Sequence, residues 1–80
     1  MKIELRLFAR LRKYLPAGSP RGKCALELPE DTTVGAVLAQ MNIPFASAHM
    51  ILLNGEHDRD FDRVLRDGDV LSVFPPVAGG

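Results

Sequence analysis

An α+β fold, with a mixed four- to five-stranded sheet and one main helix across one of its faces, is predicted by three observations. Met1–Phe8 alternates strictly, Ile3, Leu5 and Leu7 falling between Lys2, Glu4 and Arg6. Val34, Val37, Leu38 and Met41 stand at helical spacing and make a single apolar stripe. Asn54-Gly55, behind the apolar run Met50–Leu53, is the strongest short hairpin signal a sequence offers. One amphipathic helix cannot bury itself and a sheet needs one face covered, so laying the helix on the sheet satisfies both.

The first strand is Met1–Phe8. Ala9–Leu15 has helical composition but is short, and Pro16-Ala17-Gly18-Ser19-Pro20 ends it. Lys23–Leu28 is a second alternating strand, with Cys24, Leu26 and Leu28 on one face. Pro29–Thr33 leads into the helix, Thr33 being the expected N-cap. The helix should run two to three turns. Asn42 suits its C-terminal cap and Pro44 prevents continuation. After the third strand, Met50–Leu53, a brief return strand is expected over Glu56–Arg59. Phe61–Arg66 reads as irregular or a helical turn, Asp67-Gly68 as a turn, and Asp69–Phe74 as the last strand. The order β-β-α-β-β-β is that of a β-grasp, in which the first and last strands lie side by side at the sheet centre. The domain covers 1–74 and the remaining 75–80 form an extended tail.

Eighty residues make one small domain, expected to bury about 60–65% of its unfolded surface. At 46% hydrophobic residues it can still build one core. Ten basic and ten acidic side chains cancel. Read as interspersed, with Arg10-Leu11-Arg12-Lys13 the one basic cluster, they argue against nucleic acid as a partner. No apolar stretch reaches the ~18 residues of a membrane span and no signal peptide opens the chain, so a cytoplasmic location is expected. Cys24 is alone, which excludes an internal disulfide and a thiol pair for metal.

Side-chain alternation also says which apolar residues the sheet leaves outside. With Ile3, Leu5 and Leu7 turned to the helix, Phe8 falls on the opposite face. Inward Leu71 and Val73 put Val70, Ser72 and Phe74 outside, and inward Ile51 and Leu53 do the same for Met50 and Leu52. Phe8, Leu52 and Phe74, with Met50, should form an apolar patch, the mark of a partner surface. The same rule turns Cys24 inward as a buried structural thiol. His49 and His57 lack metal-ligand spacing. Asp58, Asp60 and Asp62 lack the glycine and terminal glutamate of a calcium loop. No catalytic constellation or phosphate-binding glycine loop is present, so the chain is expected to be non-catalytic, with no bound cofactor or metal.

The ending Val73-Phe74-Pro75-Pro76-Val77-Ala78-Gly79-Gly80 carries the functional signal. Two prolines cannot donate ladder hydrogen bonds, so the strand stops at Phe74, and they favour an extended stalk. Pro75 to Gly80 would reach roughly 20 Å at about 3.3 Å per residue. Gly79 and Gly80, without Cβ atoms, could thread a channel closed to any side chain and carry a carboxylate into another protein's active site.

With these residues in view, the chain resembles the ubiquitin-like sulfur carriers of the MoaD/ThiS family, most closely the small subunit of molybdopterin synthase. The markers are Leu7-Phe8-Ala9-Arg10-Leu11-Arg12, Thr33-Val34, Leu53-Asn54-Gly55-Glu56, Leu65 with Asp67-Gly68-Asp69, and the Phe-Pro-Pro-Val-Ala-Gly-Gly ending. The resemblance implies that an E1-like adenylyltransferase activates the Gly80 carboxylate with ATP and magnesium. A persulfide donor then leaves a Gly80 thiocarboxylate. Pro75, Pro76, Val77, Ala78 and Gly79 would thread the partner's active site, and Phe8 and Phe74 would belong to the contact surface. The recipient would be the large synthase subunit, in a heterotetramer of two small and two large chains, where sulfur reaches a pyranopterin precursor. Three alternatives stand beside it: a carrier for thiamine, cysteine or tungsten-cofactor synthesis, a modifier joined to lysines through Gly80, and a binding module with an incidental tail.

Overall fold

The computed structural model describes residues 1–76. Its strands are β1 (Lys2–Leu7), β2 (Lys23–Glu27), β3 (Met50–Leu53), β4 (Glu56–His57) and β5 (Val70–Phe74), with one α-helix, α1 (Val34–Gln40). They form a five-stranded sheet in the order β2-β1-β5-β3-β4. β1 and β5 are parallel and central, and the other pairings are antiparallel. This is the expected β-grasp.

Alternation decides the layering. Ile3, Leu5 and Leu7 are buried, as are Leu71 and Val73 beside them and Ile51 on β3. Val34, Val37 and Leu38 of α1 close over them in one core cluster. Ser72, in register with Arg6 and Leu52 on the opposite face, is also buried, because both neighbouring strands cover it.

The helix is two turns long, and each end has its stop. The Thr33 hydroxyl accepts from the Ala36 N–H at 3.1 Å, the expected N-cap. The N–H groups of Val34 and Gly35 donate to Arg63 O and Phe61 O at 2.9 and 2.8 Å, so a distant loop satisfies the first turn. At the other end Met41 is the cap and Asn42 follows with φ 62°. Asn42 N–H donates to Ala39 O and Ile43 N–H to Leu38 O, closing the helix in a Schellman motif with Ile43 buried.

The short segment of helical composition is a 3₁₀ helix, Ala9–Tyr14, with Leu11 buried and Tyr14 packed against the core. Two expectations need correction. The return strand is only Glu56–His57. Beyond it the Asp58 and Asp60 carboxylates accept the N–H groups of Asp60 and Asp62, at 3.2 and 3.0 Å, and bend the chain off the sheet. That bend is the structural work of the alternating aspartates. Cys24 faces inward but is only partly buried, because β2 is an edge strand with no neighbour to cover its open side. Its partial burial raises the thiol pKa above its ordinary value.

The end of the sheet away from the last residue of β5 is locked by polar groups. Asn54 and Gly55 turn with φ 53° and 85°, the left-handed pair that a tight hairpin needs. The Asn54 side chain donates to Asp69 Oδ1 at 2.9 Å and accepts the Val70 N–H at 2.8 Å. Asp67 accepts the Lys2 N–H at 2.7 Å, and Gly68 N–H donates to Lys2 O at 2.8 Å. The Asp67-Gly68-Asp69 turn thus aligns β1, β3 and β5 from behind, which sets where their other ends come together.

Candidate docking site at the root of the tail

The parallel register ends with Leu7 beside Val73. Phe8 N–H adds a last bond to Val73 O at 3.2 Å, so the next side chain on each strand, Phe8 and Phe74, emerges on the face away from α1. Their rings stack with centroids 4.0 Å apart and planes 10° from parallel. Met50 is the register partner of Phe74 on the other side, and His49 N–H donates to Phe74 O at 2.9 Å. Ala9, with φ 52°, then turns the chain sharply away from Phe8. A left-handed alanine is strained, and that turn leaves the far side of the ring uncovered.

The result is an open hollow of about 670 Å³ floored by Phe8, Phe74 and Met50 and edged by Ala9, Arg10 and His49. Pro75 and Pro76 form its remaining border. Its lining is mainly apolar, with Arg10 the fixed charge at the rim. Such a surface can take an apolar anchor from another protein and desolvate it around a stacked aromatic floor.

Of the residues expected in the patch, Phe8, Phe74 and Met50 are brought together. Leu52 lies on the same face but outside the hollow, two positions along β3 and opposite Ser72 and His57. Pro75 and Pro76 sit where a stalk should start, and Val77, Ala78, Gly79 and Gly80 lie outside the described residues. Arg10 and His49 were not foreseen as part of the site. Both adjoin predicted residues in sequence, Arg10 two after Phe8 and His49 one before Met50, and that adjacency was the available signal.

Elsewhere the chemistry is sparse. The Arg6 guanidinium hydrogen-bonds the Glu4 carboxylate across the open face and holds its pKa below the ordinary value. Arg63 pairs with Asp58 at 2.7 Å. Among the described residues no group of three or more His, Cys, Asp or Glu is placed to hold a metal ion, and no helix is long and apolar enough to cross a membrane.

The ThiS family pattern matches residues 5–80. The chain belongs to the ThiS family. Its relatives are ubiquitin-like sulfur carriers and small modifiers. The small archaeal modifier protein 3 of Haloferax volcanii is 33% identical over 96 aligned positions that span both chains completely. The crystal structure of SAMP1 from Haloferax volcanii superposes with a TM-score of 0.72 at 30% identity, covering 100% of both chains. A putative molybdopterin converting factor subunit 1 from Pyrococcus furiosus gives 0.69 at 29% identity, over 95% of this chain and 98% of that one. The fold and family expected from the sequence are therefore established.

Proposed function

We propose that this ThiS family chain is a sulfur carrier that delivers its cargo from Gly80, as the small subunit of a cytoplasmic molybdopterin synthase. The observation that carries the reading is the stacked Phe8–Phe74 hollow with Pro75 and Pro76 on its border. A docking surface there holds the body of the protein at a partner while residues 77–80 reach inward. The likeness to the Pyrococcus furiosus converting factor subunit supports the molybdopterin branch.

The chemistry starts from a carboxylate, which resonance makes a poor electrophile. An activating enzyme of the ubiquitin-activating type, using ATP and magnesium, lets a Gly80 oxygen attack the α-phosphorus and expel pyrophosphate, giving an acyl adenylate. The terminal sulfur of a protein persulfide displaces AMP and forms an acyl disulfide. A second thiol reduces that bond, leaving a disulfide on the donor side and a thiocarboxylate at Gly80. The loaded tail then enters the large synthase subunit and passes sulfur to a pyranopterin precursor. This chain supplies the nucleophilic sulfur and its partners the catalytic side chains, for a function that lives in the site rather than the fold.

A second reading is favoured by the relatives named as small archaeal modifiers: the same adenylate is transferred to a lysine amine instead of a sulfur. The two readings share activation and differ in the acceptor. An intact-mass spectrum of the protein from its own host separates them. A gain equal to sulfur replacing oxygen, mapped to Gly80, establishes the carrier. Branched peptides linking Gly80 to lysine establish the modifier. Extending the chain by one residue beyond Gly80 should abolish adenylation without unfolding the domain; normal adenylation of that variant overturns both readings.

A further inference from the structure

The net charge of zero conceals a separation of charge along the strands. Residues 5–26 contain Arg6, Arg10, Arg12, Lys13, Arg21 and Lys23 and no acidic residue, so all ten acidic side chains face only Lys2, Arg59, Arg63 and Arg66 in the rest of the chain. The charges are not interspersed, as first read. Register places this basic segment at one end of the sheet. Arg6 pairs in register with Lys23, and Leu7 with Val73, so the segment joining β1 to β2 sits where β5 ends. The opposite end is acidic: Glu27 is in register with Lys2, Glu56 with Leu53, and Asp67 and Asp69 form the turn behind them.

At the basic end the cations converge. Arg12, Lys13 and Arg21 line an open cleft of about 550 Å³, with Ser19 and Gly18 across from them. Arg12 is oriented by its contact with Leu7 O at 3.4 Å and by Gly22, where an added Cβ would fall 2.7 Å from its Nε. Arg21 is carried on a left-handed turn, φ 56°, immediately before Gly22 at φ 71°. Among the described residues no carboxylate lies within 4.0 Å of any of these guanidinium or ammonium groups. Arg10 continues the positive surface to the rim of the Phe8–Phe74 hollow.

We propose that this basic collar is the electrostatic half of the docking site, and that the Arg12–Lys13–Arg21 cleft seats a carboxylate-rich segment of the protein that receives the tail. The inference rests on the hollow being a docking surface, since the collar is continuous with it through Arg10. Guanidinium groups fork onto carboxylates, which suits the cleft to glutamate or aspartate side chains beside an apolar anchor. The charge separation has a second effect. In the field of an acidic partner the dipole turns the molecule tail-end first, raising productive encounters more than affinity.

The test needs neither Gly80 nor its loading. Isotope-labelled protein is titrated with hexaglutamate peptide at low ionic strength, and amide shifts are followed. The expected result is perturbation of Arg12, Lys13 and Arg21 but not of Glu27 or Glu56, abolished by salt. The double variant K13E/R21E should weaken binding about tenfold, while E27K leaves it unchanged. In a second arm the large synthase subunit should associate more slowly with K13E/R21E at low salt, the difference vanishing at high salt. Peptide shifts spread evenly over the molecule, an unaltered affinity for K13E/R21E, or tighter binding of an RNA oligonucleotide than of the peptide at the same cleft would overturn the proposal. If the peptide arm succeeds and the variant extended beyond Gly80 is adenylated normally, the cleft stands and the sulfur-carrier reading falls.

Discussion

Two pairs of phenylalanines occupy opposite sides of this molecule, and they use the same ring chemistry to different ends. Phe8 and Phe74 stack nearly parallel at 4.0 Å on the open face, each fixed by a central strand. Phe45 and Phe61 meet at 4.7 Å and 31°, beside the first turn of α1. The second pair is built into the fold. Phe61 O accepts the Gly35 N–H, the Arg59 guanidinium sits 5.4 Å above the Phe61 ring, and Arg59 Nε donates to Ala48 O at 3.2 Å. Phe45, 45% exposed, lids this cluster. The first pair stabilises little beyond itself, since the sheet beneath it is already closed by Leu7 and Val73. An aromatic pair that the fold can spare is one a partner can use.

That contrast can be broken by substitution. Phe61→Ala should cost the domain about 2–3 kcal/mol in a urea titration, below the range for a fully buried ring because Phe61 is half-buried, and leave docking to the proposed large-subunit partner unchanged. Gly35→Val should cost about 2 kcal/mol, because a Cβ there stands 3.1 Å from Phe61 O and the branched chain must push the loop away. Phe74→Ala should do the reverse. It should weaken docking by about 1–3 kcal/mol in calorimetry while unfolding moves by less than about 1.5 kcal/mol. Equal losses of stability from Phe61→Ala and Phe74→Ala would erase the distinction between the pairs.

The smallest expected effect concerns Cys24. Partial burial raises its folded pKa, so the stability tied to the protonated thiol is whole below the ordinary thiol pKa. It is lost as pH rises from that value through the folded one. Urea midpoints of the wild type and Cys24→Ala should therefore converge or cross above neutral pH. Parallel curves up to strongly alkaline pH would show that the thiol is not desolvated.

Much of this was legible in the sequence because two periodicities do most of the work. Period-2 alternation in β1 and β5 told which side of the sheet Phe8 and Phe74 occupy, and the helical stripe from Val34 to Met41 told which side is covered. Leu52 obeyed the same rule, yet it lies outside the hollow: alternation assigns a face but not a position along it. The short return strand escaped because Asp58 and Asp60 bend the backbone through their own side chains, a contact that hydropathy does not register. Cys24 was expected to be buried because pattern does not reveal which strand is at the edge. The charge separation was present in the order of residues but became meaningful only when strand register gathered residues 6–23 at one end.

One further consequence follows from the placement of β5 between β1 and β3. A partner that grips residues beyond Phe74 and pulls along the strand axis loads bonds on both flanks at once, Phe8 N–H to Val73 O on one side and His49 N–H to Phe74 O on the other. Such a load shears the ladder collectively, whereas the same pull on an edge strand would peel it bond by bond. The chain beyond Phe74 is thus anchored by two flanking strands rather than one, and a partner pulling there must break both ladders together.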